Sequence, residues 1–439
     1  MNAGATRAET ASQPQSLWRH GPFLRLWAGQ TVSLVGSQIT LLALPLTAVL
    51  ALRATAFQMG ALRALQYAPA LLIGLFAGVY IDRRRRKPIL MGADFGRALL
   101  LGSIPIVAAL GALTMGYLDG VAFLVGCLSV LFEAAYSAFL PALVGRRQLV
   151  DANGKLEASQ SVSRVLGPGL AGLLVQLLTA PIAIVADAAS FLVSVVFLGW
   201  LRVEEPRPEP SRRAIWPEIG EGLRFILGHP LLRATVVCSG TTNFFSAIFN
   251  ALFVLYFVRN LGMDAATLGG IFLVGGVVGL CAAMLAGKLA RRAGVGRVML
   301  LGMFLISSNG LVVVSISGGG ALAVMLLACA EALGAAGDAF YNVTVASLRQ
   351  SLTPDRLLGR VSASGRFVIW GAQPFGALLA GVLGETLGLR PTLGIAVAGW
   401  CLALLTLNFS PIRGLRASPV LRESGLDALD GASSPTNLQ

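Results

Sequence analysis

The long apolar stretches of this chain are joined by connections that alternate in charge, and that alternation constrains the fold more than any motif does. One set is crowded with cations: Arg83 to Lys87, Arg146 and Arg147, Arg202 to Arg233, Lys288 to Arg297, and Arg349 to Arg360. The intervening set carries only Arg53, Arg259 and Arg390. Cytoplasmic loops of multispanning membrane proteins hold the Lys/Arg excess. The pattern therefore predicts an all-α integral membrane protein in the cell (inner) membrane, with both termini cytoplasmic.

A helix needs roughly 20 apolar residues to cross the hydrocarbon core. Twelve runs qualify, at about 24–50, 57–81, 88–112, 118–144, 156–178, 180–201, 231–258, 265–288, 297–318, 320–347, 361–386 and 390–409. Of the 439 residues, 55% are hydrophobic and 13% charged. A soluble domain carries about 25% charged residues, so an ordinary soluble protein is excluded. The net charge of +13 sits in connections and tails, where topology and anionic headgroups account for it. No zinc-finger spacing or aromatic-interleaved basic patch points to nucleic acid. The five cysteines all fall inside apolar runs and read as free thiols, with no metal site. His20 and His229 lie in the cationic connections, which excludes a histidine proton relay inside the membrane.

The runs form two groups of six. The sequence divides into a tail (1–22), a first six-helix bundle (23–201), a linker (202–230), a second bundle (231–409) and a polar tail (410–439) expected to be disordered. Pro206, Pro208 and Pro210 exclude a helix at the start of the linker. Beyond them Ile219, Leu223, Ile226 and Leu227 recur at helical spacing opposite Glu218, Glu221 and Arg224. That predicts an amphipathic helix on the inner membrane surface. A shift of 209 residues lays Met59-Gly60-Ala61 on Leu268-Gly269-Gly270, and Pro168 matches Pro374 at 206. Two such halves imply parallel repeats about an axis along the membrane normal, with a cavity between them.

Charges inside the spans are functional candidates by default. They are Arg63, Glu133, Arg164 and Asp187 in the first half and Glu331, Asp338 and Arg366 in the second; Asp94 and Arg97 read as interfacial. Glu133 with Arg164, and Asp338 with Arg366, occupy consecutive spans at similar depth and read as ion pairs. A carboxyl group in a low-dielectric cavity can bind and release a proton near neutrality. Glu331, Asp187 and Glu133 are therefore the candidates for proton coupling. Gln38, Asn243 and Asn250, with Asn309, Asn342 and Gln373, are candidate cavity-lining or helix-bridging groups. Gly167, Pro168, Gly169 and Gly172 spell G-x-G-x-x-G, but inside an apolar helix with no preceding strand, so a dinucleotide site is excluded. There is no phosphate-binding G-x-x-x-x-G-K-[ST], no HExxH and no acidic metal cluster, so neither a cofactor nor an enzyme activity is expected.

The connection Gly78-Val79-Tyr80-Ile81-Asp82-Arg83-Arg84-Arg85-Arg86-Lys87 resembles the loop-2/3 motif of the major facilitator superfamily, Gly-x-x-x-Asp-Arg-x-x-Arg-[Arg/Lys]. The resemblance implies a conformational latch at Gly78, Asp82, Arg83 and Arg86. Gly78 would admit a neighbouring helix, and Asp82 would accept from a helix N-terminus or pair with an arginine. Arg291 replaces the acid in the second half. The Gly167–Gly172 segment looks like the fifth-helix Gly-Pro motif of antiporters in that superfamily. Residues 132–144 and 148–155, with Leu140-Pro141-Ala142-Leu143-Val144 and then Ala152-Asn153, are similar to its enterobactin-exporter and macrolide-efflux branch. The resemblance implies a monomeric drug:proton antiporter that exports a small amphipathic molecule, such as a drug, macrolide or siderophore, by alternating access. The alternatives are an importer or a non-transporting receptor with the same fold.

Overall fold

The computed structural model describes residues 17–203, 205 and 215–415. Most of both tails, the linker prolines and the side chain of Glu218 lie outside the described residues. The rest is helical: α1 (Gly21–Leu46, continued by a π turn at Thr47–Ala51), α2 (Ala56–Leu72), α3 (Gly74–Asp82), α4 (Arg86–Ala109), α5 (Met115–Val144), α6 (Leu149–Leu177) and α7 (Ala180–Gly199). A linker helix, α8 (Ile215–Gly228), leads into the second half. There follow α9 (Pro230–Arg259), α10 (Ala265–Ala293), α11 (Val295–Ser315), α12 (Ala321–Leu352), α13 (Asp355–Gly371), α14 (Gln373–Thr386) and α15 (Leu389–Asn408). Among the described residues, ten stretches are long and apolar enough to cross a membrane. The other two expected spans are α2–α3, interrupted at Ile73, and α6, whose first turns carry Asp151, Lys155 and Glu157.

The ends of these helices follow from their sequences. Thr55 caps α2 in a reciprocal box with Gln58, and Thr114 caps α5. Asp264 caps α10 by accepting from the Thr267 N–H at 2.8 Å; the Thr267 hydroxyl and this N–H together hold its carboxyl below the usual carboxylate range. Two expected spans are broken rather than continuous. Pro69 withholds a backbone donor and Gly74 follows, so the second span bends at Ile73. Pro374 does the same for the eleventh, which divides at Ala372.

Packing yields two six-helix bundles with the same internal plan. In the first, α1 contacts α6 and α7, α4 contacts α5 and α7, and α2 contacts α5. In the second, α9 contacts α14 and α15, α11 contacts α12 and α15, and α10 contacts α12. The two seams between bundles are reciprocal as well, α6 against α10 and α14 against α2. That is the arrangement expected of parallel repeats.

The linker helix is fastened to the second bundle. α8 docks on α13 and α9. Glu221 pairs with Arg360, the Ser364 hydroxyl donates to the Ile219 carbonyl at 3.0 Å, and Ile226 is fully buried. The start of the linker is fastened too. Glu205 accepts from the Arg86 and Lys87 backbone N–H groups at 2.6 and 2.8 Å, placing an anion on the α4 N-terminus. The Lys87 amine reaches back to the Leu201 carbonyl at 2.6 Å.

Candidate functional site

The two bundles meet tightly at the end with few cations. There the first helix of each half is buried on every side, over Leu42–Val49 in α1 and Ala251–Phe257 in α9. A helix buried all round lies in the interior of an assembly. Glycines make the contact. A side chain at Gly269 would stand 2.7 Å from the Pro168 carbonyl oxygen and 2.9 Å from Gly172 Cα. A side chain at Gly60 would stand 2.6 Å from the Ala377 carbonyl oxygen and 2.7 Å from Gly381 Cα. Glu385 of α14 closes the seam by accepting from the Phe57 N–H at 3.2 Å, across the bundle boundary.

These contacts correct the repeat register. Gly60 and Gly269 are 209 residues apart, as are Gly172 and Gly381, so the spatial counterpart of Pro168 is Ala377, not Pro374. Further along, Glu157, Ser161, Arg164 and Val165 match Ala363, Phe367, Trp370 and Gly371 at 206. The eleventh span thus holds three extra residues, and the break at Ala372 absorbs them.

Toward the cationic end the seams open into two cavities. One, of about 600 Å³, lies between α6, α10 and α12 and is lined by Glu157, Arg164, Asp338 and Asn342 among small and apolar residues. The other, of about 340 Å³, lies between α2, α3, α5 and α13 and is lined by Glu133, Ser137, Arg366 and Trp370. They are copies of one design. Val130, Glu133, Ala134 and Ser137 correspond to Ala335, Asp338, Ala339 and Asn342 at an offset of 205. Each cavity therefore receives a carboxylate from the fourth span of one bundle and a guanidinium from the fifth span of the other.

This geometry overturns the expected pairing. Glu133 and Arg164 face different cavities, and so do Asp338 and Arg366. The cause is rotation: α5 turns Glu133 toward α2 and α13, while α6 turns Arg164 toward α10 and α12. Arg164 Nη1 lies 3.9 Å from Glu157, and Glu133 feels the charges of Arg97 and Arg366. Glu331 packs on Gly275 of α10, seven residues before Asp338. That spacing sets the two acids about 10 Å apart on one helix face. Asp187 lines neither cavity. It is buried between α1 and α7, accepts from the Ser190 hydroxyl at 3.1 Å, and approaches α1 because Gly36 has no side chain. Arg63 donates to Gln66 at 2.9 Å on its own helix. Gln38 packs on Gly167, Gly169 meets Leu273, and Asn243 bonds Gln373 at 2.9 Å beside the Ala372 break, while Asn250 is exposed. In the loop motif, Gly78 faces open space rather than a neighbouring helix, and Arg83 is exposed. The Asp82 side chain lies outside the described residues.

Asp94 and Arg97 are not interfacial. Both are buried in mid-span, paired with each other, and Arg97 is sandwiched between the rings of Phe132 and Phe191 at 4.5 and 4.1 Å. The i,i+3 spacing of the pair was readable; the aromatic sandwich, built from three helices, was not. Breaking a buried pair costs about 3–5 kcal/mol, whereas removing both charges costs far less. Arg97→Leu should therefore lower the thermal unfolding temperature in detergent well below that of the Asp94→Asn, Arg97→Leu double variant. Equal losses in the two would show that the ion pair is not what holds α4.

A family model described as Major Facilitator Superfamily matches residues 26–372. The multidrug efflux pump Tap of Mycolicibacterium fortuitum is 27% identical over 391 residues, covering 85% of this chain and 92% of that relative. The enterobactin exporter EntS of Shigella boydii is 29% identical over 375 residues, covering 80% and 83%. Among solved structures, a bacterial homologue of the iron transporter ferroportin in an inward-facing state superposes with a TM-score of 0.66 at 17% identity, covering 90% of this chain and 98% of that one. The nucleoside transporter NupG gives 0.66 at 12%, covering 88% and 98%.

Proposed function

Because this chain belongs to the Major Facilitator Superfamily and is a multi-pass membrane transporter, we propose that it exports a small amphipathic molecule in exchange for protons. The observation that carries the reading is the asymmetry of the seams, sealed by glycines at one end and parted into cavities at the other. That is one of the two states that alternating access requires. With the cationic loops in the cytoplasm, the cavities open inward, where an exporter collects its cargo, and both termini are cytoplasmic. A cavity of about 600 Å³ with mostly apolar walls suits a small amphipathic cargo better than a sugar or a phosphate. The relatives named as a multidrug efflux pump and an enterobactin exporter support the direction.

Glu133 and Asp338 are the leading candidates for proton coupling, since each faces a cavity opposite an arginine of the other bundle; Glu331 lies two turns from Asp338 on the same helix face. When the cavities shut, Glu133 would meet Arg366 and Asp338 would meet Arg164, and protonation of the acids would weaken that closure. The latch of Gly78, Asp82, Arg83 and Arg86 would act in that same shut state, which accounts for the open space around Gly78 here. The complete path lies within one chain, so a monomer suffices.

The test is accumulation of dyes and antibiotics in an efflux-deficient bacterium. Expression of the chain should lower accumulation of at least one amphipathic compound, and an uncoupler should cancel the effect. Efflux that survives the uncoupler would remove proton coupling, and unchanged accumulation across a broad panel would remove export.

A further inference from the structure

A third cavity lies outside the transport path. It is a groove of about 520 Å³ between the end of α3, the start of α4 and the middle of α5. Its rim is cationic, formed by Arg84 and Arg85, and its floor is apolar, formed by Ile89, Leu128 and Leu131. The Arg84 guanidinium rests on the Tyr80 ring at 5.0 Å, which orients it over the groove. Gly92 keeps the groove open, because a side chain there would meet nothing within 4 Å.

We infer that this groove binds an anionic phospholipid, with its phosphate on Arg84 and Arg85 and one acyl chain along the α4–α5 furrow. Three observations select this occupant. No carboxylate lines the groove among the described residues. The neighbouring cation, Lys87, is spent elsewhere, on the Gly199 and Leu201 carbonyls at the end of α7. The apolar floor also continues toward the membrane centre as an exposed face: Phe95 and Leu99 stand three and seven residues beyond Gly92 on α4, with Leu124 one turn from Leu128 on α5. From Arg85 to Leu99 the helix rises about 21 Å, enough for a headgroup and most of an acyl chain. A free phosphate would use the rim and leave the floor bare. The cationic end of the bundle is also where anionic lipid is concentrated.

Native mass spectrometry of the full chain, released from detergent containing equal amounts of phosphatidylglycerol and phosphatidylcholine, tests the assignment. The wild type should retain phosphatidylglycerol roughly thirtyfold over phosphatidylcholine, from about 1 kcal/mol for each of the two cations near the surface. The Arg84→Gln, Arg85→Gln variant should lose that preference. Gly92→Leu, which fills the floor and spares the cations, should reduce lipid retention with the arginines intact. Arg147→Gln, an exposed cation of another loop, should change nothing. Undiminished preference in the arginine double variant overturns the site. So does displacement of the lipid by millimolar inorganic phosphate, which would mean that the rim binds an anion and the floor binds nothing. A thermal-unfolding check on each variant separates loss of lipid from loss of fold.

Discussion

Gly172→Leu should hold the sealed end of the transporter open and reduce efflux in proportion. Gly172 meets Gly269 at the α6–α10 crossing, where the added side chain would run into the backbone of α10. Backbone cannot yield as a flexible side chain can, so the bundles must separate there. Overpacking of this kind costs about 1–3 kcal/mol, which shifts a two-state equilibrium by roughly 5- to 150-fold away from the sealed form. Spin labels on Thr55 and Thr386, exposed at the ends of α2 and α14, should move apart in a cysteine-free background. Gly270→Leu is the control, because the neighbouring glycine faces empty space. Equal label distances and equal efflux in the two variants would show that the glycine contact does not govern closure.

A cross-link between Ser137→Cys and Ala363→Cys should abolish transport almost completely and reversibly. These residues lie on α5 and α13 and line the same cavity from opposite bundles. The cavity lies between their helices, and a disulfide needs Cα atoms within about 7 Å, so closure of the cavity is expected to favour the bond. Oxidation should therefore trap the pair when the bundles rock together at the cationic end. Reductant should restore efflux. A pair that never cross-links during turnover would mean that this cavity does not close, and alternating access around it would fail. The prediction leaves Glu133, Arg164, Asp338 and Arg366 of the two cavities intact, so a negative result cannot be assigned to a lost charge there.

Much of the fold was legible in the residues themselves. The apolar runs, the cationic connections and the 209-residue shift were all readable locally, and the breaks at Ile73 and Ala372 had their prolines in plain view. The candidate site was legible in its parts and not in its connections. Glu133, Arg164, Asp338 and Arg366 stood out as charges in apolar helices. Their partners did not, because similar depth in consecutive spans says nothing about which way each helix turns. Glu205 and Glu385, which bind helix N-termini from far away in sequence, looked like ordinary loop and helix-end acids.

By itself the sequence determined that the chain crosses a membrane many times and predicted which loops share a side, because the transfer of an apolar run or a cation into hydrocarbon depends on that segment alone. Only the tertiary structure decided which carboxylate faces which guanidinium and which end of the molecule is sealed. Those outcomes depend on helix rotation and on glycine-to-glycine contact between bundles, and both are set by packing among residues hundreds of positions apart.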